Sequence, residues 1–339
     1  MSLEPTEQVR YVRSEVEERD YEGLFNRWAE FYQRAHHGKT LVRGAEVPYH
    51  VSRQGASRFY VMPHFEELAI SQWVVFVRYL KDHPNGRHRH QGGIALYALD
   101  GQGYSMVNGE RYDWGAGDIV YLPLMPGGLD HQHFPAVPGE PATFMGIIYE
   151  PLIVGVGAEM TQLEPEEHGV GEASGAVAAG SKVSVSDIEP TLAGLVALRD
   201  YQRRAIAIPP LIRGEELAVD ETGFGRLRWY LHPGRAGFAG TSPTLVFSTE
   251  LAAGQSTDGL KIPGNGFMYV LEGEADITVG REQHHCVPTD MVCLPARRSG
   301  ITTSIDAGEE GAKVLVALAN LSGLGGIALG ADFALQPRS

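Results

Sequence analysis

The stretch Arg87-His88-Arg89-His90, read together with Asp130-His131-Gln132-His133, decides the fold. Side chains alternate across a β-strand, so His88 and His90 share one face, and so do His131 and His133. Imidazole is the commonest side-chain ligand for first-row metals. Two rings from one strand and a third from a neighbouring strand, offered by His131 or His133, make a three-histidine site with open positions. A lone histidine at a strand end is more often only hydrogen-bonded. Two His-x-His units about forty residues apart in one barrel pattern are read here as a metal site.

The run between the two units is strand-rich and punctuated by glycine. Ile94–Leu99 and Tyr104–Val107 read as strands around an Asp100-Gly101-Gln102-Gly103 turn. Asn108-Gly109 is a hairpin turn that needs positive φ. Gly115-Ala116-Gly117-Asp118 is a further turn before the strand Ile119–Leu122, and Ala142–Tyr149 completes the series. Upstream, Val47–Val51, Arg58–Met62 and Ser71–Leu80 are β-branched and aromatic. Many short strands with glycine turns indicate a small barrel or jelly roll.

The pattern then recurs. Leu41-Val42-Arg43-Gly44 returns as Leu211-Ile212-Arg213-Gly214, and Arg58-Phe59-Tyr60 as Arg228-Trp229-Tyr230, both 170 residues on. Tyr97-Ala98-Leu99-Asp100-Gly101 returns as Tyr269-Val270-Leu271-Glu272-Gly273, and Asp118-Ile119-Val120 as Asp290-Met291-Val292, both 172 residues on. The class is therefore all-β, with two copies of one barrel. The second copy is an internal control. The positions of His88, His90 and His131 are filled there by Leu260, Ile262 and Thr303, which are poor metal ligands. His284 and His285 fall outside the ligand frame and read as surface or structural residues. Copy two keeps the barrel without the metal.

The flanks divide the chain further. Residues 5–37 read as helix, with a stripe of Leu24, Phe25, Trp28, Phe31 and Tyr32 expected to dock on the body. Gly169–Ser181 is rich in Gly, Ala and Ser, as linkers are, and Pro190–Tyr201 reads as a short helix. The expected order is an N-terminal helical extension over 1–39, a metal-binding barrel over 40–165, a linker over 166–205 and a metal-free barrel over 206–335.

Composition narrows the partners. The 339 residues carry 42 acids against 28 bases, a net charge of −14, so nucleic acid and anionic membranes are excluded by repulsion. No apolar run approaches the roughly 20 residues of a membrane span. The first residues lack a basic and then apolar leader, and Cys286 and Cys293, seven apart, point to opposite faces of a regular strand. A cytoplasmic protein without disulfides is expected.

These residues resemble a known family. His88-Arg89-His90, the Gly101-Gln102-Gly103 turn, and Gly117 with Pro123 followed by His131 look like the two cupin motifs. The doubled barrel, the helical extension and a metal in the first copy alone resemble gentisate 1,2-dioxygenase and its relatives. At residue level the resemblance is confined to about 87–133. It implies a double cupin of two jelly-roll barrels. It also implies Fe(II) held by three histidines, here His88, His90 and His131, with His133 as an acid/base or supporting group. The carboxylate ligand of other cupins would fall at Ile94 or Ala95, in agreement with that branch. Two departures stand out. The family's Arg-Phe pair on the next strand is Leu96-Tyr97 here, which removes the usual anchor for a gentisate-like carboxylate. The interval from Pro123 to His131 is also longer than usual, which leaves His133 as an alternative third ligand.

The resemblance implies an O2-using dioxygenase that cleaves a hydroxylated aromatic or related chelating small molecule, in a homo-oligomer. Three neutral imidazoles leave a metal its full 2+ charge, which favours an anionic chelate and acidifies its hydroxyl. Arg89, Gln91, Tyr104, Gln132, Tyr97, Tyr121 and Arg78 are the hydrogen-bond donors that could place the substrate, and Asp130 could orient an imidazole. Two further readings are a lyase, isomerase or decarboxylase using Mn, Ni or Zn, and a non-catalytic bicupin that binds a small ligand.

Overall fold

The computed structural model describes residues 21–125, 127–155, 157, 159–163, 190–197, 211–232, 242–262, 264–297, 300–320 and 334–337. Helix α1 spans Tyr21–His37 and α2 spans Glu150–Gly155. The strands of the first half are β1 Leu41–Val42, β2 Tyr49–Ser52, β3 Gly55–Val61, β4 Trp73–Leu80, β5 His88–His90, β6 Ile94–Asp100, β7 Gln102–Val107, β8 Glu110–Gly115, β9 Ile119–Leu122, β10 Leu129–Pro135, β11 Ala142–Tyr149 and β12 Thr161–Gln162. The second half carries β13 Leu211–Ile212, β14 Val219–Thr222, β15 Gly225–Leu231, β16 Thr244–Leu251, β17 Gly259–Ile262, β18 Gly266–Val279, β19 Glu282–Cys286, β20 Met291–Leu294, β21 Ile301–Ala319 and β22 Ala334–Gln336.

The first barrel closes two antiparallel sheets on one another. One runs β13-β9-β6-β11-β4-β3-β2 and the other β12-β5-β10-β7-β8. Between them lie Leu80, Ile94, Leu96, Ala98, Trp114, Leu122 and Phe144, all buried. In the second barrel β18 and β21 run the length of a single sheet ordered β1-β20-β18-β21-β16-β15-β14. It is filled by Leu260, Ile262, Ile277, Ile305 and their neighbours.

A third core joins the barrels. Strands β4, β6 and β11 are buried on both faces, so while Leu96 and Phe144 fill the first barrel, Trp73, Tyr97 and Ile147 pack outward. They meet Tyr230, Phe267 and Tyr269 of the second barrel. Tyr60 and Tyr269 pack edge to face with centroids 5.6 Å apart, and Tyr97 and Tyr230 at 5.5 Å.

The barrels also exchange arms. β1 pairs with β20 of the second barrel, and β13 pairs with β9 of the first. The duplication is thus closed by a reciprocal strand exchange, which places residues 41–42 in the second barrel's sheet although they precede the first barrel in sequence.

Local structure follows the sequence with a few shifts. Asn108 and Gly109, at φ 50° and 86°, make the β7–β8 hairpin. Gly101 at φ 73° makes the β6–β7 turn by itself, so Gln102 and Gly103 belong to β7 rather than to the turn. A 3-10 turn over Gly44–Glu46 delays β2 to Tyr49. Of the expected 5–37 helix, 21–37 is helical, and 1–20 lie outside the described residues. Of the expected docking stripe, Phe25 and Tyr32 are half-buried, while Leu24, Trp28 and Phe31 remain 41–59% exposed among the described residues. At the C-terminal end of the helix Arg297 Nε donates to Ala35 O. Most of the expected linker also lies outside the described residues, save a short helix over 192–197. Cys286 and Cys293 are free and buried. Among the described residues no helix is long and apolar enough to cross a membrane.

Candidate metal centre

Strands β5 and β10 pair antiparallel, with His131 opposite His88 and Leu129 opposite His90. All three histidines therefore face the barrel interior. Their rings stand 4.2 Å (88–131), 4.5 Å (90–131) and 5.4 Å (88–90) apart. One nitrogen from each lies within 4.8 Å of the others, and all three residues are buried. No Asp or Glu belongs to this group. Ile94 faces the barrel where an acidic ligand is expected, and Ala95 packs into the core between the barrels.

The backbone orients the rings. His88 Nδ1 lies 2.9 Å from Gly86 O and His131 Nδ1 lies 3.0 Å from Leu129 O. A carbonyl only accepts, so both imidazoles carry their proton on Nδ1 and turn a lone pair of Nε2 inward. His90 differs: Gly92 N–H donates to its Nδ1 at 3.0 Å, which leaves its proton on Nε2. Asp130, a candidate for orienting an imidazole, is clamped instead by Arg87, whose Nε donates to Oδ1 at 2.9 Å and whose Nη2 binds Oδ2. It locks β5 to β10 across the ladder.

His133 is deeper. It pairs with Ser105 of β7, whose Oγ lies 2.7 Å from His133 Nδ1. Trp114 Nε1–H donates to the same oxygen at 3.0 Å. Ser105 Oγ, with a second lone pair and its own proton, can either donate to His133 Nδ1 or accept from it, and when it donates the His133 proton sits on Nε2. Burial holds all four imidazoles below their ordinary range, His90 down to about 4, with neighbouring histidines adding to the shift at His90, His131 and His133. Four neutral rings result.

The other candidate donors separate. Arg89 sits between the two β5 histidines on the opposite face and is exposed, 3.9 Å from Asp130. Tyr104 is stacked on Phe134 at 4.6 Å with Arg111 over its other face at 3.8 Å, away from the imidazoles. Gln91 accepts from Glu159 N–H at 2.7 Å, tying the segment before β12 to the end of β5. Gln132 donates to Asn85 O at 2.8 Å. Tyr97 and Tyr121 point into the core between the barrels. Tyr97 borders a separate cleft of about 360 Å³ there, beside Arg58 and Tyr60. Arg78 alone of these faces into the first barrel, where its guanidinium lies 6.0 Å from the Phe144 ring.

Sequence reasoning passed over Ser105, Trp114 and Asn85. The repeat held the signal, because Ser105 and Asn85 stand where copy two has Ile277 and Thr257. Copy two also repeats the ladder itself. Leu260 is opposite Thr303, as His88 is opposite His131.

The Cupin domain family profile matches residues 75–147, the stretch that holds both His-x-His units. The fold is a double cupin. The bicupin is similar to salicylate 1,2-dioxygenase from Pseudaminobacter salicylatoxidans, with a TM-score of 0.60 at 15% identity, covering 84% of this chain and 85% of that one. A structure of that enzyme with gentisate gives a TM-score of 0.58 at 14% identity over 94% and 97%. Oxalate decarboxylase from Bacillus subtilis gives 0.57 at 15% identity over 83% and 76%. At these identities the likeness establishes the fold and no more. It is a likeness to bicupin metalloenzymes, the group the sequence resembles. No curated protein matches the sequence.

Proposed function

We propose that this bicupin is an Fe(II)-dependent, O2-using dioxygenase that cleaves a hydroxylated aromatic or related chelating small molecule. The observation that carries the reading is the convergence of three buried, neutral imidazoles with no carboxylate among them. Such a donor set fits a divalent iron with open positions. His88, His90 and His131 would hold it, and His90 would first move its proton from Nε2 to Nδ1, giving up the bond from Gly92 N–H, or turn its ring. Bound Fe(II) would supply a 2+ centre at which a chelating hydroxyl is acidified and electrons pass from substrate to O2.

The chain's own residues do the rest. Gly86 O and Leu129 O fix two of the imidazoles before any ligand arrives. With Ser105 donating to His133 Nδ1, the Trp114–Ser105–His133 relay leaves an N–H on His133 Nε2 that can hold an oxygen of the substrate. Leu80, Leu96, Leu122 and Phe144 line the space with apolar surface and exclude water. Gln91 holds the 159–162 segment against β5. Arg89 and Tyr104 face away from the imidazoles and have no part in this arrangement.

Metal analysis combined with oxygen uptake tests the reading. Protein reconstituted with Fe(II) is expected to hold one iron per chain and to consume O2 with gentisate or salicylate as probes. Absence of stoichiometric metal at the three histidines overturns it. Turnover that proceeds equally without O2 replaces it with a non-oxidative cupin chemistry.

A further inference from the structure

The feature left unexplained by the imidazoles is Arg78 on β4. It is 7% exposed, and no carboxylate among the described residues lies within ion-pair distance. Its Nε donates to Ser57 Oγ at 3.1 Å and its Nη1 to Gln54 Oε1 at 3.3 Å. The guanidinium lies 4.7 Å from the centroid of Phe76 and 6.0 Å from that of Phe144. The Phe144 ring in turn meets the His133 ring at 5.1 Å, so the cation and the histidines flank the same phenyl ring inside the first barrel. Asn85 extends this polar wall. Its Nδ2 donates to Gln54 Oε1 at 2.9 Å, and its Oδ1 accepts His133 N–H at 2.5 Å.

A buried charge left unpaired is expensive, by several kcal/mol in general. Burial alone pushes the Arg78 guanidinium down to about 10. Nothing in the architecture requires this cost, and the second barrel demonstrates that. The register pair Ser57–Arg78 recurs there as Leu227–Thr249. The bond from His133 N–H to Asn85 recurs as Ile305 N–H to Thr257 Oγ1 at 2.9 Å. Thr249 turns its hydroxyl to Phe224 O at 2.7 Å. The same barrel therefore closes with no charge at this position, and the cation occurs only in the copy that has the four histidines.

We propose that Arg78 is the anion subsite of the first barrel, taking a carboxylate of the ligand on β4 while a second oxygen of the same molecule faces the three imidazoles. This rests on the reading of His88, His90 and His131 as metal ligands. A divalent metal on three neutral imidazoles and one guanidinium bring three positive charges into the interior of the first barrel. The ligand class that balances most of this is a carboxylic acid bearing a neighbouring ionisable hydroxyl, one charge to each cation. The orientation is fixed as well. Ile94, Leu96 and Ala98 make the β6 wall apolar, so the acid group points away from β6 and toward β3 and β4.

The test separates this proposal from the metal reading. Benzoate and its neutral isostere benzamide are titrated calorimetrically into the full chain, both stripped of metal and loaded with Fe(II). Wild type is expected to bind benzoate at least tenfold more tightly than benzamide in both states. Arg78→Met removes that preference, and Arg78→Lys retains part of it. Because Met removes an unpaired buried charge, its thermal midpoint is expected to equal or exceed that of wild type, which a purely structural arginine would not allow. Equal binding of benzoate and benzamide by wild type overturns the proposal, as does a preference that survives in Arg78→Met. The wild-type comparison needs no variant to fold. If the benzoate preference is present but the histidines hold no iron, the metal reading fails and the anion subsite stands.

Discussion

His131 stands directly across the β5–β10 ladder from His88, with ring centroids 4.2 Å apart. The two rings are placed by strand register and by backbone carbonyls, so the site exists before a metal enters. Removing one ring should therefore leave the barrel folded and the metal unheld. His88→Ala and His131→Ala are expected to lose Fe(II) affinity by more than the roughly 10–100-fold typical of losing an outer hydrogen-bond partner. His133→Ala, whose ring is held by Ser105 outside the three-histidine group, is expected to keep its metal. Metal content after gel filtration, with circular dichroism to confirm the fold, checks all three. Loss of metal from His133→Ala with retention in His131→Ala would reverse the ligand assignment.

Ser105 is predicted to matter out of proportion to its size. One hydroxyl accepts from Trp114 and bonds to His133 Nδ1, both inside the barrel. Ser105→Ala leaves an indole N–H and an imidazole nitrogen unsatisfied, at a cost of about 1–3 kcal/mol. It also releases the His133 tautomer. Turnover is expected to fall by about tenfold or more, in the range of a lost positioned proton donor, with iron content unchanged. Nitrogen NMR of the His133 ring reads the tautomer directly. An unchanged ring signal would remove Ser105 from the arrangement.

Much of this site is legible in the sequence because its logic has period two. His-x-His on a strand can only mean one face, and copy two reports which positions are free to drift. The gentisate-type resemblance also leads to the double cupin. What the sequence hides comes from strands buried on both sides. Tyr97 and Tyr121 belong to such strands, so alternation marks no solvent face, and only the packed structure shows them turned toward the second barrel. Arg78 stands among the candidate donors in the sequence, but its burial and its lack of a carboxylate partner among the described residues show only once its neighbours are known. The arm exchange is invisible to local patterns, since Leu41-Val42 and Leu211-Ile212 would suit either barrel.

The buried imidazoles make metal-free stability depend on pH. Burial lowers their folded-state affinity for protons, His90 to about 4, while an unfolded chain titrates near 6.5. The unfolded state then binds more protons as pH falls. Stability is therefore fully present above about pH 6.5 and lost between there and about 4, by about 1.4 kcal/mol per pH unit for each histidine that stays neutral. Urea unfolding midpoints of the metal-free protein over this range check the slope. His133→Phe, apolar and of similar size, should make the dependence shallower. A midpoint that rises on acidification would contradict the burial of these rings.

Asp118 and Asp290 explain why the Gly-Asp and Thr-Asp turns survive in both copies. Asp118 accepts from Gly115 N–H at 3.0 Å and so folds its own turn, and it also accepts from Arg213 at 2.7 Å and Gly214 N–H at 3.1 Å on the exchanged arm. Asp290 repeats each contact, with Val287 N–H at 3.2 Å, Arg43 at 2.7 Å and Gly44 N–H at 2.9 Å. Both glycines lie too close to the opposing turn for any side chain. A Cβ on Gly214 would come within 2.1 Å of Gly117 O, and one on Gly44 within 2.4 Å of Thr289 O. These are backbone atoms that cannot swing aside, so Gly214→Ala and Gly44→Ala should each cost about 1–3 kcal/mol, as overpacking does. Asp118→Ala should cost a similar amount by leaving buried donors unpaired. Because each arm is a strand of the other barrel, damage to either arm should lower the stability of both. Calorimetry is expected to show a single unfolding transition moved to lower temperature in all three variants. Two separated transitions in Gly214→Ala would mean that the barrels fold independently and that the exchanged arms do not couple them.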